Sequence, residues 1–427
     1  MDEVGSIAEA ACGREMSVID TMCSISEKHR ENSGKKFRPS DADYWKTVQS
    51  AKTEGKKLIF VSGPLPMELI YAMDCVPLCL DLIPARLSEN PELTAKFIGE
   101  TDRRVDQDFC ALNRAEIGAM ISGKLGVAPD AYVSVPIPCD SARTAYFVMS
   151  RFAEAPAFNF DIPMRINDRS LGYVATQLES FLDFLENVTG EKLDWNKLKY
   201  RMELSNRAGE LLNECARLRK NRPCPMSSHM AVWNELMNAM SPTEPMLKQL
   251  EEELRICRAR AAKGESPCPT GEKHRVLLLQ NLFWQGIDIT DWLETEFGAV
   301  TVADGFFLRT RDFFGELDDR EACLELMCRR MLTGSSVHGA AVSAFELSDM
   351  ASGAVREYGA DVSIFLGNAG CRHSWAAEKL VTDSITDTFG IPTLSVDVDN
   401  TDRRYKSEKD IKMAISEYMD AVVNNQK

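Results

Sequence analysis

A chain of 427 residues exceeds what one hydrophobic core of ordinary size organises, so two or three domains are expected. Its 44% hydrophobic and 27% charged residues are globular proportions, and a formal net charge of −15 argues against nucleic acid or anionic membrane as partner. No apolar run approaches the roughly 18–20 residues of a membrane span, the first residues lack a secretory pattern, and thirteen cysteines, an odd number, point to reduced thiols in the cytoplasm.

In chain order, residues 1–50 are polar and helix-prone and read as a helical N-terminal arm. A βα series follows over 51–170. Lys57–Ser62 is a strand, Pro66–Asp74 a short helix with proline in its first turn, and Val76–Leu82 a second strand. A mixed helix containing Cys110 is expected between Thr101 and Gly126. Ala131–Pro138 is a third strand that ends at Cys139, Ala142–Phe152 a helix, and Ala157–Pro163 a fourth strand. Over 171–270 the apolar period becomes helical, with Leu178, Phe181, Leu182 and Leu185 keeping three- and four-residue spacing. Lys263–Lys273, broken by Gly264, Pro267, Pro269 and Gly271, reads as a linker.

The series restarts over 271–427. Strands are expected at Arg275–Gln280, Ala299–Ala303, Asp361–Gly367 and Ile391–Val398, with helices at Asp288–Phe297, Trp375–Phe389 and Lys409–Val423. A helical region is expected from Arg311 to Tyr358. Alternating βα units imply parallel sheets covered on both faces. The expected architecture is α/β: two Rossmann-like parallel-sheet domains joined by a helical segment, with the helical arm in front.

Cys139 and Cys371 then occupy equivalent places, each just past the third strand of its half and just before a helix. Ligand sites in open α/β sheets lie outside the carboxyl ends of strands, and a helix N-terminus favours thiolate and anions. Arg143 and Arg372 add positive charge nearby in sequence. No CxxC or compact cysteine–histidine motif is present, so a bound metal would need cysteines from distant segments. Cys75, Cys79, Cys323 and Cys328 read as packing residues, and Cys224 and Cys268 lie in Pro-Cys-Pro loops.

Four passages together resemble the 2-hydroxyacyl-CoA dehydratase and benzoyl-CoA reductase subunit family. They are Ser62–Leu80 (SGPLPMELIYAMDCVPLCL), Asp106–Leu125 around Cys110, Asp130–Pro163 around Cys139, and Gly359–Arg404 around Cys371 with its acidic tail. Asn281–Asp304 adds a weaker match. The resemblance implies that Cys110, Cys139 and Cys371 hold a 4Fe-4S cluster whose fourth iron carries a non-cysteine ligand, and such an iron serves as Lewis acid and electron conduit.

It also implies a reaction. The chain would be the iron–sulfur subunit of an oxygen-sensitive dehydratase that eliminates water from a 2-hydroxyacyl-CoA. One electron added to the thioester carbonyl gives a ketyl radical, which expels hydroxide and acidifies the β-hydrogen. Implied partners are a homologous second subunit, an acyl-CoA substrate and an ATP-dependent iron–sulfur activator; the chain itself has no GxxxxGK[ST] loop. Glu68, at the start of the first helix, is the candidate for proton handling, and Ser62, at the first strand's end, the candidate for contact with the thioester or cluster. His373 is a further acid–base candidate or a plain surface residue. Alternatives are a benzoyl-CoA reductase-type subunit, a non-catalytic cluster-bearing partner, and a double-cubane protein, which would need more cysteine ligands than these segments show.

Overall fold

The computed structural model describes residues 16–31, 39–137, 139–163, 167–229, 234, 237, 242–280, 287–305, 312–333 and 343–425. Two compact units emerge: Met1–Glu210 with Leu236–Leu250 and Thr310–Val337, and Leu211–Glu235 with Glu251–Arg309 and His338–Lys427. Each contains one four-stranded, all-parallel sheet. The fold class expected from the sequence is therefore the one observed.

In the first unit, helices α1 (Val18–Glu31) and α2 (Pro39–Ser50) precede β1 (Leu58–Ser62), α3 (Met67–Ala72), β2 (Val76–Cys79) and α4 (Leu82–Leu87). Then come α5 (Pro91–Thr101), α6 (Ala111–Ile121), β3 (Ala131–Ser134), α7 (Asp140–Phe152), β4 (Ala157–Asn159) and α8 (Asp168–Thr189). The strand order is β2-β1-β3-β4. Every residue of β1, β2 and β3 is buried, because crossover helices cover both faces; this is why these strands read as apolar runs rather than alternating ones. β4 is one of the two edges, shielded by a cluster of Phe158, Phe160, Phe181 and Phe184 that joins it to α8.

Two long helices, α9 (Trp195–Leu218) and α10 (Glu244–Lys263), follow. The second unit holds β5 (His274–Gln280), α11 (Ile287–Glu296), β6 (Ala299–Asp304), α13 (Ala344–Tyr358), β7 (Val362–Asn368), α14 (Arg372–Phe389), β8 (Thr393–Val398) and α15 (Glu408–Asn425), while α12 (Arg320–Thr333) belongs to the first. Its order, β6-β5-β7-β8, repeats that of the first sheet. Val276, Leu278, Ile364, Leu366, Val396 and Val398 form one core with Ile289, Leu293, Ile411 and Ile415 from α11 and α15. Arg275, the second residue of β5, is fully buried and donates to the carbonyls of Tyr358 (2.7 Å), Arg219 (2.7 Å) and Asn221 (2.9 Å).

Several boundaries differ from the sequence reading. The strand expected over Val76–Leu82 stops at Cys79, and Leu82 starts a helix. The mixed helix expected around Cys110 is two helices, with Cys110 at the start of the second. Helix α2, part of the expected arm, packs on β2: Tyr44 Oη donates to the carbonyl of Pro77 (3.2 Å) and accepts from the amide of Cys79 (2.9 Å). Its Asp41 forms a buried ion pair with Arg86 of α4. The arm's residues 1–15 and 32–38, and Asn281–Gly286 of the weaker family match, lie outside the described residues.

Helices α5 and α6 approach so closely that a Cβ on Gly118 would fall 1.9 Å from the carbonyl oxygen of Phe97. Backbone cannot yield as a side chain can. Gly118→Ala is therefore expected to lower unfolding free energy by about 1–3 kcal/mol, measured by urea denaturation; an unchanged midpoint would contradict this packing.

Candidate functional site

In an open parallel sheet the ligand crevice lies where successive crossovers leave a strand in opposite directions. In the first sheet that point falls between β1 and β3, and in the second between β5 and β7. Residues that follow these strands border the crevices.

The chain leaves β1 at Ser62 and turns at Gly63, whose φ is +86°. A Cβ there would lie 2.2 Å from the carbonyl oxygen of Val135, just past β3, so glycine is required twice over. Past β3, Cys139 caps α7, its Sγ accepting from the amide of Ala142 at 3.4 Å. Cys110 occupies the same N-cap position on α6. The two helix starts are tied together, because Ser141 Oγ, in the first turn of α7, donates to Asn113 Oδ1, in the first turn of α6, at 2.8 Å. The first unit thus brings two cysteine-capped turns into contact.

The second unit repeats the device once. Past β7, Cys371 caps α14, its Sγ accepting from the amide of Ser374 at 3.4 Å. The approach is fixed by Cys371 N donating to the carbonyl of Asn368 (2.8 Å) and Asn368 Oδ1 accepting from Asn400 N (2.9 Å). Ser374 Oγ reaches across to Gln280 Oε1 at 3.3 Å, and Gln280, at the end of β5, has a left-handed φ of +67°. The acidic tail is a turn: Asp399 Oδ1 accepts from the amides of Thr401 and Asp402 (2.8 Å each), and Asp402 binds Arg404 through both oxygens (2.7 and 2.8 Å).

Burial separates the cysteines into two groups. Of the twelve described, nine are buried, and the three that are not are Cys110, Cys139 and Cys371. Burial pushes the thiols of Cys23 and Cys224 up to about 11 and those of Cys75, Cys257 and Cys328 up to about 12. Such thiols are poor sources of the thiolate a metal needs. The three half-buried cysteines sit at helix N-termini, outside the apolar core. By donor chemistry they suit a cluster. No three described Cys, His, Asp or Glu side chains converge tightly enough to hold a single metal ion.

The two non-cysteine candidates are held differently. Ser62 is fully buried, and its Oγ accepts from Tyr132 Oη at 3.1 Å. Glu68 is buried in α3, where Oε1 accepts from Ser205 Oγ (2.6 Å) and pairs with Arg330 (3.2 Å). This ties α3 to α9 and α12. His373 is half-buried in the first turn of α14, and Arg143 donates to the carbonyl of Ile162 (3.3 Å).

Sequence reasoning missed a second carboxyl group at the first sheet's edge. Asp81, between β2 and α4, accepts from Gly63 N (2.8 Å), Tyr146 Oη (2.8 Å) and the Cys79 thiol (3.7 Å). Against it lies Glu116, in the middle of α6 and fully buried. Desolvation first, and the neighbouring Asp81 second, hold the Glu116 carboxyl well above its usual range. The available signal was one acid inside the apolar row ALNRAEIGAMI.

The two parallel sheets and cysteine-capped helices define an α/β protein whose third strand in each sheet leads into a cysteine-capped helix. The pattern of the 2-hydroxyglutaryl-CoA dehydratase D-component matches residues 64–421, and the chain belongs to that family. It is 22% identical to a benzoyl-CoA reductase subunit of Thauera aromatica, over 92% of this chain and 95% of that one. It is 24% identical to the alpha subunit of lactoyl-CoA dehydratase from Anaerotignum propionicum, over 42% and 48% of the two chains. Against the alpha subunit of (R)-2-hydroxyglutaryl-CoA dehydratase from Acidaminococcus fermentans the identity is 22%, over 62% and 54%. No helix among the described residues is long and apolar enough to cross a membrane.

The raised Glu116 sets a sign for stability against pH. An unfolded glutamate ionises near 4.5, whereas the folded one keeps its proton to higher pH. The unfolded state therefore gains stability relative to the folded one as pH rises above about 4.5, until the folded group also ionises. Relative to Glu116→Gln, the wild type should lose unfolding free energy steadily on the alkaline side. Parallel stability–pH curves for the two proteins would contradict the assignment.

Proposed function

We propose that this chain is the iron–sulfur subunit of an oxygen-sensitive 2-hydroxyacyl-CoA dehydratase of the cytoplasm, with Cys110, Cys139 and Cys371 as the three protein ligands of a 4Fe-4S cluster. The observation that carries the reading is that these three cysteines, alone among the twelve described, are not buried, and each stands at a helix N-terminus next to a strand's carboxyl edge or a neighbouring turn. When bound, the cluster supplies one-electron and Lewis-acid chemistry at its non-cysteine position. The substrate's β-hydrogen is barely acidic. One electron placed on the thioester carbonyl, as a ketyl radical, lets hydroxide leave and makes that hydrogen removable.

The chain's own residues supply the rest. The helix starts behind Cys139 and Cys371 present an amide to each sulfur. Gly63 lets the segments that follow β1 and β3 approach closely, and Ser62 is tied to β3 through Tyr132. Glu68, with Arg330 and Ser205, braces the helix that follows. The relatives are subunits by name, which supports a homologous partner chain, and electrons would come from a separate ATP-dependent iron–sulfur activator.

A second reading has its own support. The reductase relative is matched over nearly the whole of both chains, which favours an aryl-CoA reductase built on the same cysteines. Assay of the anaerobic complex with activator on a 2-hydroxyacyl-CoA and an aryl-CoA separates the two: formation of the 2-enoyl-CoA supports dehydration, and ring reduction alone overturns it.

Serine caps a helix better than cysteine, so the ligands can be tested without harming the fold. In Cys139→Ser and Cys371→Ser, the apoprotein should unfold within about 1 kcal/mol of wild type or be more stable. Iron and sulfide, measured after anaerobic purification, should fall to a small fraction of wild type in both. Full iron in either variant would remove that cysteine from the ligand set.

A further inference from the structure

We propose that Asp81 and Glu116 form an acid–base pair at the carboxyl edge of the first sheet, sharing one proton and exchanging it with the acyl thioester bound there. The role rests on the dehydratase reading; the shared proton does not.

Burial and contact together call for that proton. The two carboxyl groups are in hydrogen-bonding contact, and both belong to the same unit. Glu116 Oε2 accepts from Asn113 Nδ2 at 2.9 Å. Glu116 Oε1 is buried, and no N–H or O–H group of another described residue reaches it. Two carboxylate oxygens placed together with no donor between them repel, and in a buried setting the arrangement persists only if one carboxyl keeps a proton and donates it to the other. The other titratable groups facing the pair are the Cys79 thiol and the phenols of Tyr132 and Tyr146, all neutral at physiological pH. Neither acid pairs with a lysine or arginine among the described residues, so no described cation offsets a second negative charge.

Position makes the pair useful. Asp81 is half-buried at the strand edge and receives the Gly63 amide, which marks the crevice between β1 and β3. Glu116 lies behind it. Asn113 links Glu116 to Ser141, and so to the turns capped by Cys110 and Cys139. Glu68, by contrast, is ion-paired with Arg330 and holds helices together.

Over one turnover the balance closes. The pair gives its one proton to the departing hydroxide, which leaves as water, and both carboxylates are then ionised. Asp81 next takes the β-hydrogen of the substrate as a proton, which restores the singly protonated pair while the Cα–Cβ double bond forms. The initiating electron, delivered by an iron–sulfur reductant, returns to the site, so no net oxidation occurs.

Glu116→Gln keeps the shape and the Asn113 contact but removes the shared acid; Asp81→Asn removes its partner. Infrared spectra of the purified wild-type chain at neutral pH should show a protonated-carboxyl carbonyl band that is missing from Glu116→Gln. Absence of that band from the wild type, or its persistence in the variant, overturns the pair. In the anaerobic complex with partner and activator, both variants should retain iron and KM while kcat falls about a hundredfold or more, with the wild-type pH profile flattened; Glu116→Asp should recover part of the loss. Full kcat with an unchanged pH profile in Glu116→Gln overturns the role. A wild-type complex that carries no iron and turns over no 2-hydroxyacyl-CoA would instead defeat the dehydratase reading, and the carboxyl band would still report on the pair.

Discussion

Everything at these strand edges follows from one requirement: a parallel strand must hand the chain directly to a helix whose first amides have no partner of their own. Ordinary proteins meet that need with serine, threonine, aspartate or asparagine, and this chain does so at Asn167 and Ser343, both with reciprocal capping contacts. At the ends of β3 and β7 it uses sulfur instead. Cys139 and Cys371 each accept one amide at 3.4 Å, a weaker cap than oxygen provides. A sequence under pressure for helix stability alone would place oxygen at both positions. The choice of sulfur at equivalent points of two sheets with the same strand order is what turns a packing detail into a functional argument.

The same reasoning separates these cysteines from the rest. A thiol becomes a ligand by losing its proton, and burial among apolar groups opposes that loss. Cys75 sits beside Asp74 and Asp130, Cys79 beside Asp81, and both are driven upward by desolvation and by those negative neighbours. Cys79 in fact donates its S–H toward Asp81, so it serves the acid pair as a neutral hydrogen-bond donor. Proximity in sequence to the family's first motif therefore says little about ligation.

What the sequence revealed depended on range. Strands buried on both faces leave continuous apolar runs such as LIFVS, and glycines such as Gly190, Gly359 and Gly390 mark helix ends by their left-handed geometry, so the two sheets could be read directly. The end of β2 could not, because LCLDLIP stays apolar while it changes from strand to helix. Cys110 was placed inside a helix rather than at its start, since ALNRAEIGAMI continues the preceding helical pattern with no capping oxygen to announce a break. Asp81 and Glu116 meet across thirty-five positions of sequence, and no local pattern foretells that contact.

A buried glutamate held against a second carboxyl group, with no described cation beside it, is unfavourable for folding, because burial and the neighbouring acid both oppose its ionisation. Its persistence here is enforced from several sides. Gly63 cannot be replaced, because Val135 blocks any side chain there; Tyr146 and Gly63 both donate to Asp81; and Gly118 packs α6, which carries Glu116, against the backbone of α5. The elements that fix the acids are the ones that fix Cys110 and Cys139, through Asn113 and Ser141. A shift of α6 large enough to relieve the acids would also displace the cysteine that caps it. Thiols and shared proton are thus positioned by a single packing arrangement, so the first sheet's edge behaves as one site rather than as two neighbouring ones.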